Sequence, residues 1–225
     1  MNKKMIVNIL GKLLKIEALL LLLPAFVGLL YQEKAGIYYF LVAAAEFIIG
    51  YLLGKRATEN MNIYAKEGFF IVGISWCILS LFGAVPFVIS GEMPSFVDAL
   101  FETISGFTTT GSSVLTDLSG LSHASLFWRS FTHWVGGMGI LVFTVAFIPI
   151  SSGRTMHILK AEMPGPKVGK LVSKVRLTAR ILYVIYTALT LLEIVFLLLG
   201  NMPLFDSILN SFATAGTGGF SMSNG

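Results

Sequence analysis

The sequence predicts an all-α, multi-pass membrane protein in which long apolar helices alternate with two shorter segments that enter the membrane and turn back. Three observations predict it: an apolar composition, charges spaced to leave membrane-length gaps, and an internal repeat of a short helix followed by a Thr/Gly-rich stretch. Of 225 residues, 55% are hydrophobic and only 12% are charged, against about 25% charged in an ordinary soluble domain. Mean hydropathy is +0.81. A soluble fold this apolar would have too little polar surface to cover itself. The 18 phenylalanines and 23 glycines suit helices packed in lipid, where small residues let backbones approach.

The charges set the elements in order. A bilayer core takes about 20 apolar residues per helix. Between Lys15 and Glu33 lies the leucine-rich run 18–31, with Glu17 at its start, and between Lys34 and Lys55 only Glu46 is charged. Gly68 to Gly91 and Ser130 to Gly153 carry no charge, and Ile181 to Phe205 carries only Glu193. Five spanning helices are expected. The first could be read as a secretory signal, because Lys3 and Lys4 precede it. The amphipathic lead-in with Lys12 and Lys15, and the lack of a small-x-small cleavage site at 31–34, favour a span.

Orientation follows from the basic residues. Fourteen of the 16 fall before span one, between spans two and three (Lys55, Arg56, Lys66), or between spans four and five (154–180). The alternate segments hold Glu33, Glu92, Asp98, Glu102, Asp117 and Asp206, with only Lys34 and Arg129 among the basic residues. A cytoplasmic N-terminus is expected. The net charge of +4 is thus a topology signal and not a nucleic-acid footprint.

Between spans three and four, residues 92–126 are too long and too oddly composed for a plain connector. A turn at Met93-Pro94-Ser95 leads into Phe96–Ser105, which has helical periodicity over about three turns. It breaks at Gly106-Phe107-Thr108-Thr109-Thr110-Gly111, where three threonines oppose helix continuation and Gly111 permits backbone geometry other residues resist. The pattern recurs at Met202–Ser221. A shift of 108 pairs Asp98 with Asp206, Thr103 with Ser211, Thr109 with Thr217, Gly111 with Gly219 and Ser113 with Ser221. One such loop alone reads best as an external turn; two in register, each after a span of the same orientation, read as half-helices returning as extended backbone.

Non-helical backbone at membrane depth must line a water-filled path or be buried in protein. Its carbonyls can replace the water shell of a cation, and the negative C-terminal end of a half-helix favours positive charge nearby. The candidate ion-binding residues are therefore Thr109, Thr110 and Gly111 in the first loop and Thr217, Gly218 and Gly219 in the second.

At these residues the chain resembles the Trk/Ktr/HKT superfamily of cation transporters. Phe101–Gly111 looks like the first pore loop of the bacterial Trk type, Trp128–Ile140 like the helix after it, Ala161–Pro166 like the cytoplasmic link into repeat two, and Thr217–Ser221 like the second filter strand. The resemblance implies helix–pore-loop–helix repeats of potassium-channel type, two of four present and the second incomplete. It divides the chain into two N-terminal membrane helices (1–67), a first repeat (68–153), a basic cytoplasmic link (154–180) and a second repeat lacking its closing helix (181–225). It implies potassium uptake, by symport or channel-like flow, across the bacterial cytoplasmic membrane. Potassium would sit at Thr110, Gly111, Gly218 and Gly219, and glycine at 111, where sodium-preferring plant relatives have serine, favours potassium. Lipid, a homodimer of the intact protein and a cytosolic nucleotide-binding regulatory subunit are the implied partners, with no organic cofactor and no nucleic acid. The expectation is an N-terminal piece of a longer protein; the alternatives are a non-conducting truncated or assembly fragment and a sodium-permeable member of the superfamily.

Other readings account for less. Gly136-Gly137-Met138-Gly139 has no preceding strand, so close helix packing explains it better than a nucleotide loop. The intramembrane acids Glu46 and Glu193 are costly and are expected to hydrogen-bond between helices more than to relay protons. His123, His133 and His157 lack metal-ligand spacing, and Cys77, the single cysteine, can form neither an internal disulfide nor a cysteine-based metal site. An intramembrane protease built on Ser130 and His133 would leave the duplicated loop unexplained, so no enzyme is expected.

Overall fold

The computed structural model describes residues 3–55, 65–139 and 175–220, and every regular element among them is an α-helix. Seven helices follow in order: α1 (Lys3–Leu30), α2 (Lys34–Gly54), α3 (Ala65–Ile89), α4 (Phe96–Phe107), α5 (His123–Met138), α6 (Val175–Leu199) and α7 (Leu204–Ala215). Four of them, α1, α2, α3 and α6, are long and apolar enough to cross a membrane. The fourth expected span begins in α5, and its remainder, 140–153, lies outside the described residues, as do Ser221 and residues 154–174 of the expected link 154–180, whose last six residues instead open α6.

The first span is longer than its apolar run. The amphipathic lead-in continues the same helix, and α1 runs unbroken from Lys3. Its early turns are buried because Met5, Ile9 and Leu13 face the core. Glycines set how closely α2 lies against it. A Cβ on Gly28 would stand 2.5 Å from the Gly36 Cα, and one on Gly11 would stand 2.5 Å from the Gly54 N. Asn8 Nδ2 donates to the Gly54 carbonyl at 2.6 Å, sealing that end. Lys15 lies along the same seam, its Cγ 3.0 Å from the place a Gly50 Cβ would take and its Nζ 3.7 Å from the place of a Gly54 Cβ.

Glu46 meets another acid. Glu17 of α1 and Glu46 of α2 are both 0% exposed with their carboxyl groups opposed, and Glu17 Oε1 also packs on Gly83 of α3. Glu193 is half-buried on α6, and Cys77 is exposed on α3.

The half-helix α4 starts where its cap permits. The Ser95 hydroxyl accepts from the Asp98 N–H at 3.3 Å, and Asp98 in the first turn suits the positive end of the helix. Helix α5 starts at His123, earlier than the charge-free run suggests, because Arg129 is inside it and buried. Ser122 caps it, accepting from the Ser125 N–H at 3.2 Å. Glu33 caps it again from the α1–α2 turn, accepting from the His123 and Ala124 N–H groups at 3.0 and 3.3 Å and meeting His123 Nδ1 at 2.7 Å. Tyr31 stacks on the His123 ring at 3.9 Å. Two more bonds lock α5 to its neighbours: Trp128 Nε1 donates to the Gly83 carbonyl at 2.9 Å, and the Tyr39 and Ser125 hydroxyls share a bond of 3.0 Å. Helix α6 contrasts with this core, since most of its apolar side chains stay exposed, Val184 at 68% and Leu199 at 74%.

The glycine seam gives a direct test. Gly36→Val should push α1 and α2 apart and destabilise the protein by about 1–3 kcal/mol, whereas Gly73→Ala, with nothing within 4 Å of its Cβ, should leave the melting midpoint in detergent almost unchanged. Equal losses for the two would mean that the seam is not backbone-tight.

Candidate functional site

The two half-helices end in the same way. In α4 the Thr109 N–H donates to the Gly106 carbonyl at 3.0 Å and the Thr110 N–H to the Ser105 carbonyl at 2.9 Å. In α7, 108 residues on, the Thr217 N–H donates to the Thr214 carbonyl at 2.8 Å and the Gly218 N–H to the Ala213 carbonyl at 3.0 Å. This pair of bonds is a Schellman closure, which requires a left-handed residue just past the helix. Glycine is the usual occupant, yet here it is threonine both times, Thr109 at φ 54° and Thr217 at φ 61°. A β-branched residue in that conformation is strained by roughly 1–3 kcal/mol, and such strain concentrates at functional sites. Two residues further on, Gly111 and Gly219 take φ 75° and 72°, as a shift of 108 requires.

Hydroxyls finish the first closure. Thr108 Oγ1 donates to the Ile104 carbonyl at 2.7 Å and lies 2.8 Å from Thr110 Oγ1. Of the six candidate residues, Thr110, Thr217 and Gly219 are exposed, and Thr109, Gly111 and Gly218 are half-buried. The half-helices behind them are packed, with Thr103, Phe107, Leu209 and Ser211 all buried.

The loops meet each other. A Cβ on Gly111 would overlap the Gly218 carbonyl oxygen, so the two strands touch at one residue from each. Helix α5 brings them together with its own glycines. A Cβ on Gly136 would strike the Phe107 carbonyl, and one on Gly137 would stand 2.8 Å from the Gly216 Cα and 2.6 Å from the Tyr186 hydroxyl. Close packing is thus the role of the Gly136-Gly137 pair. Gly139, at φ 71°, ends the helix. From α6, Tyr186 Oη donates to the Trp134 carbonyl at 3.1 Å and Trp134 Nε1 to Thr190 Oγ1 at 3.1 Å.

Behind the loops lies a polar set that patterning did not single out. Glu102 of α4 and Arg129 of α5 pair at 2.6 Å with side chains 0% and 3% exposed. The same carboxylate accepts from Ser113 Oγ at 2.9 Å and from the Val114 N–H at 3.2 Å. The Arg129 guanidinium carbon lies 3.7 Å from the centroid of the Phe220 ring, and His133, one turn on, packs its ring on Phe220 at 3.9 Å and against Gly218. Reading Glu102 and Arg129 as charges of an outer segment hid the pair. The available signal was an acid on the periodic face of α4 followed by a base in the next helix.

The ring contact at Gly218 can be tested by a double-mutant cycle. Gly218→Ala should cost about 1–3 kcal/mol and should cost less in a His133→Ala background, where the ring it would strike is gone. Additive losses in thermal denaturation would mean that the ring is not what excludes a side chain there.

Residues 39–224 match the TrkH family of cation transport proteins. The chain is 39% identical over 225 residues to the Trk system potassium uptake protein TrkH of Salmonella typhimurium, covering 98% of this chain and 46% of that protein. It is 35% identical to the Trk system potassium uptake protein TrkG of Escherichia coli, over 97% of this chain and 46% of that one. The crystal structure of the potassium transporter TrkH from Vibrio parahaemolyticus superposes with a TM-score of 0.77 at 33% identity, over 94% of this chain and 42% of that chain. The chain therefore spans about half the length of the curated relatives it matches. With α3–α4 and α6–α7 forming two copies of a span followed by a half-helix, and with matches of this extent, the chain belongs to the TrkH family of cation transport proteins.

Proposed function

We propose that this chain contributes two of the four pore loops of a potassium-uptake transporter of the bacterial cytoplasmic membrane. The observation that carries this reading is the repeated closure: two half-helices, 108 residues apart, end in the same bonds and bring Gly111 against Gly218. The second loop repeats the two closing bonds of the first, which suits quarters of one ring of ligands. Exposed backbone beyond a helix C-terminus supplies carbonyl oxygens in a negative local field. On this reading Thr109, Thr110, Gly111, Thr217, Gly218 and Gly219 line the path, and Thr110, Gly111, Gly218 and Gly219 hold the dehydrated ion. Potassium is the cargo, in keeping with relatives named for its uptake.

Two loops cannot surround an ion, so the working transporter draws two further loops from a longer polypeptide, and the exposed apolar surface of α6 is where further repeats and lipid would lie. The organisation proposed is two N-terminal helices (1–67), a first repeat (68–153), a basic cytoplasmic link (154–180) and the beginning of a second repeat (181–225), with a cytoplasmic N-terminus. The intact transporter would pair as a homodimer and meet a cytosolic nucleotide-binding subunit.

Gly111→Ser tests the reading. In the full-length protein, expressed in a bacterium deficient in potassium uptake, this change should lower potassium-over-sodium discrimination by about tenfold, equivalent to about 1.4 kcal/mol. Unchanged discrimination in a protein that still reaches the membrane would remove the filter assignment.

A further inference from the structure

The two candidate strands come from different repeats, and something must fix their separation. An ion path lined by carbonyls discriminates through ligand positions, so small displacements of one strand against the other matter. Schellman closures fix each strand to its own half-helix. They do not fix one strand to the other.

The buried set behind the loops makes that second connection. Glu102 holds the first strand at two points, accepting from Ser113 Oγ and the Val114 N–H, just beyond Gly111. Its Oε1 also takes the Arg129 Nε–H at 2.6 Å. Arg129 then reaches the second strand, its guanidinium over the ring of Phe220, the residue after Gly219. The chain of contacts runs from Ser113 and Val114 through Glu102 and Arg129 to Phe220, and His133 closes it by packing on both Phe220 and Gly218.

Stability alone does not explain ions at this place. Desolvating two charges offsets most of their attraction, and a well-packed apolar pair of similar size often serves stability as well or better. Direction is what the ions add. The carboxylate accepts from three fixed donors at once, and the planar guanidinium can pair edge-on with a carboxylate and present its face to an aromatic ring. A lysine would keep the charge and lose that geometry.

We propose that Glu102 and Arg129 act as a positioning clamp, joining the first loop to the second and thereby setting cation discrimination between Gly111 and Gly218. This rests on the pore-loop reading above, and neither residue is assigned contact with the ion.

The test measures potassium-over-sodium discrimination for Glu102→Gln, Arg129→Lys and Phe220→Leu in the full-length protein, with membrane abundance and detergent chromatography recorded alongside. Each variant should accumulate and should lose discrimination by roughly three- to tenfold, and Arg129→Lys combined with Phe220→Leu should lose no more than the worse single change, because both break one connection. Phe220→Leu leaves the ion pair intact and keeps the test informative if a charge substitution reduces folding. Gly111→Ser in the same assay separates the two ideas. If Gly111→Ser lowers discrimination and the three clamp variants do not, the clamp is wrong and the filter reading stands. Additive losses in the double variant would also overturn it. If Gly111→Ser has no effect, the filter reading fails first and the clamp fails with it.

Discussion

A helix that stops inside a membrane leaves carbonyl groups that no water in the hydrocarbon can satisfy, and the rest of this structure is arranged around meeting that constraint twice. Both half-helices close on themselves through the same two hydrogen bonds, and both place a threonine in the left-handed conformation to do so. Glycine would close them with less strain. Threonine costs about 1–3 kcal/mol at such a site, which is smaller than the several kcal/mol of leaving carbonyls bare in lipid. The neighbouring Thr108 hydroxyl adds a second bond to the Ile104 carbonyl, which already accepts the Thr108 N–H.

Those closures are short and weakly covered, so they depend on what stands behind them. Helix α5 is that support. Its Gly136 and Gly137 let the end of α4 and the end of α7 come to backbone contact on one helix. Its Trp128 is fully buried and bonds to α3, and its first turn is held by Glu33 from the α1–α2 turn. The N-terminal hairpin therefore does more than anchor the chain in lipid. It fixes the start of the helix against which both loops are packed, and its own tightness comes from glycine pairs that let α1 and α2 touch.

Much of this was readable in the residues, and the limits have a physical cause. Apolar runs of membrane length locate α2 and α3 to within about three residues, because lipid leaves few other choices, whereas α6 runs 175–199 in place of 181–205, since Arg176 and Arg180 lie inside its first turns. The 108-residue register of the loops was legible because both must make the same closure, and it extends to individual hydrogen bonds. Two things misled. Counting charges as boundaries placed Arg129 outside the helix, whereas its charge is matched by Glu102 and buried with it. The left-handed threonines were invisible because propensity assigns that role to glycine, and the sequence offered Gly111 and Gly219 nearby, which take positive φ for a separate bend. The opposition of Glu17 and Glu46 was equally hidden, since like charges are the last pairing a pattern search proposes.

The repeat is close but not complete, and where it fails is informative. Asp98 has its equal in Asp206, but the position 108 residues after Glu102 is Asn210. That amide is spent on α7 and the turn before it, donating to the Asp206 carbonyl at 2.8 Å and lying 3.5 Å from the Met202 sulfur. Among the described residues it reaches only Asp206 and Met202, so the second loop lacks the acid that steadies the first. What it has is Phe220, seated against Arg129 and His133 of the preceding repeat. The second loop therefore takes its position from the first repeat, and the two copies are not independent units placed side by side. A charge pair conserved through the duplication would brace each strand separately and leave their spacing to chance packing. A single pair, shared by way of one aromatic ring, makes the spacing of the two strands a property of one helix.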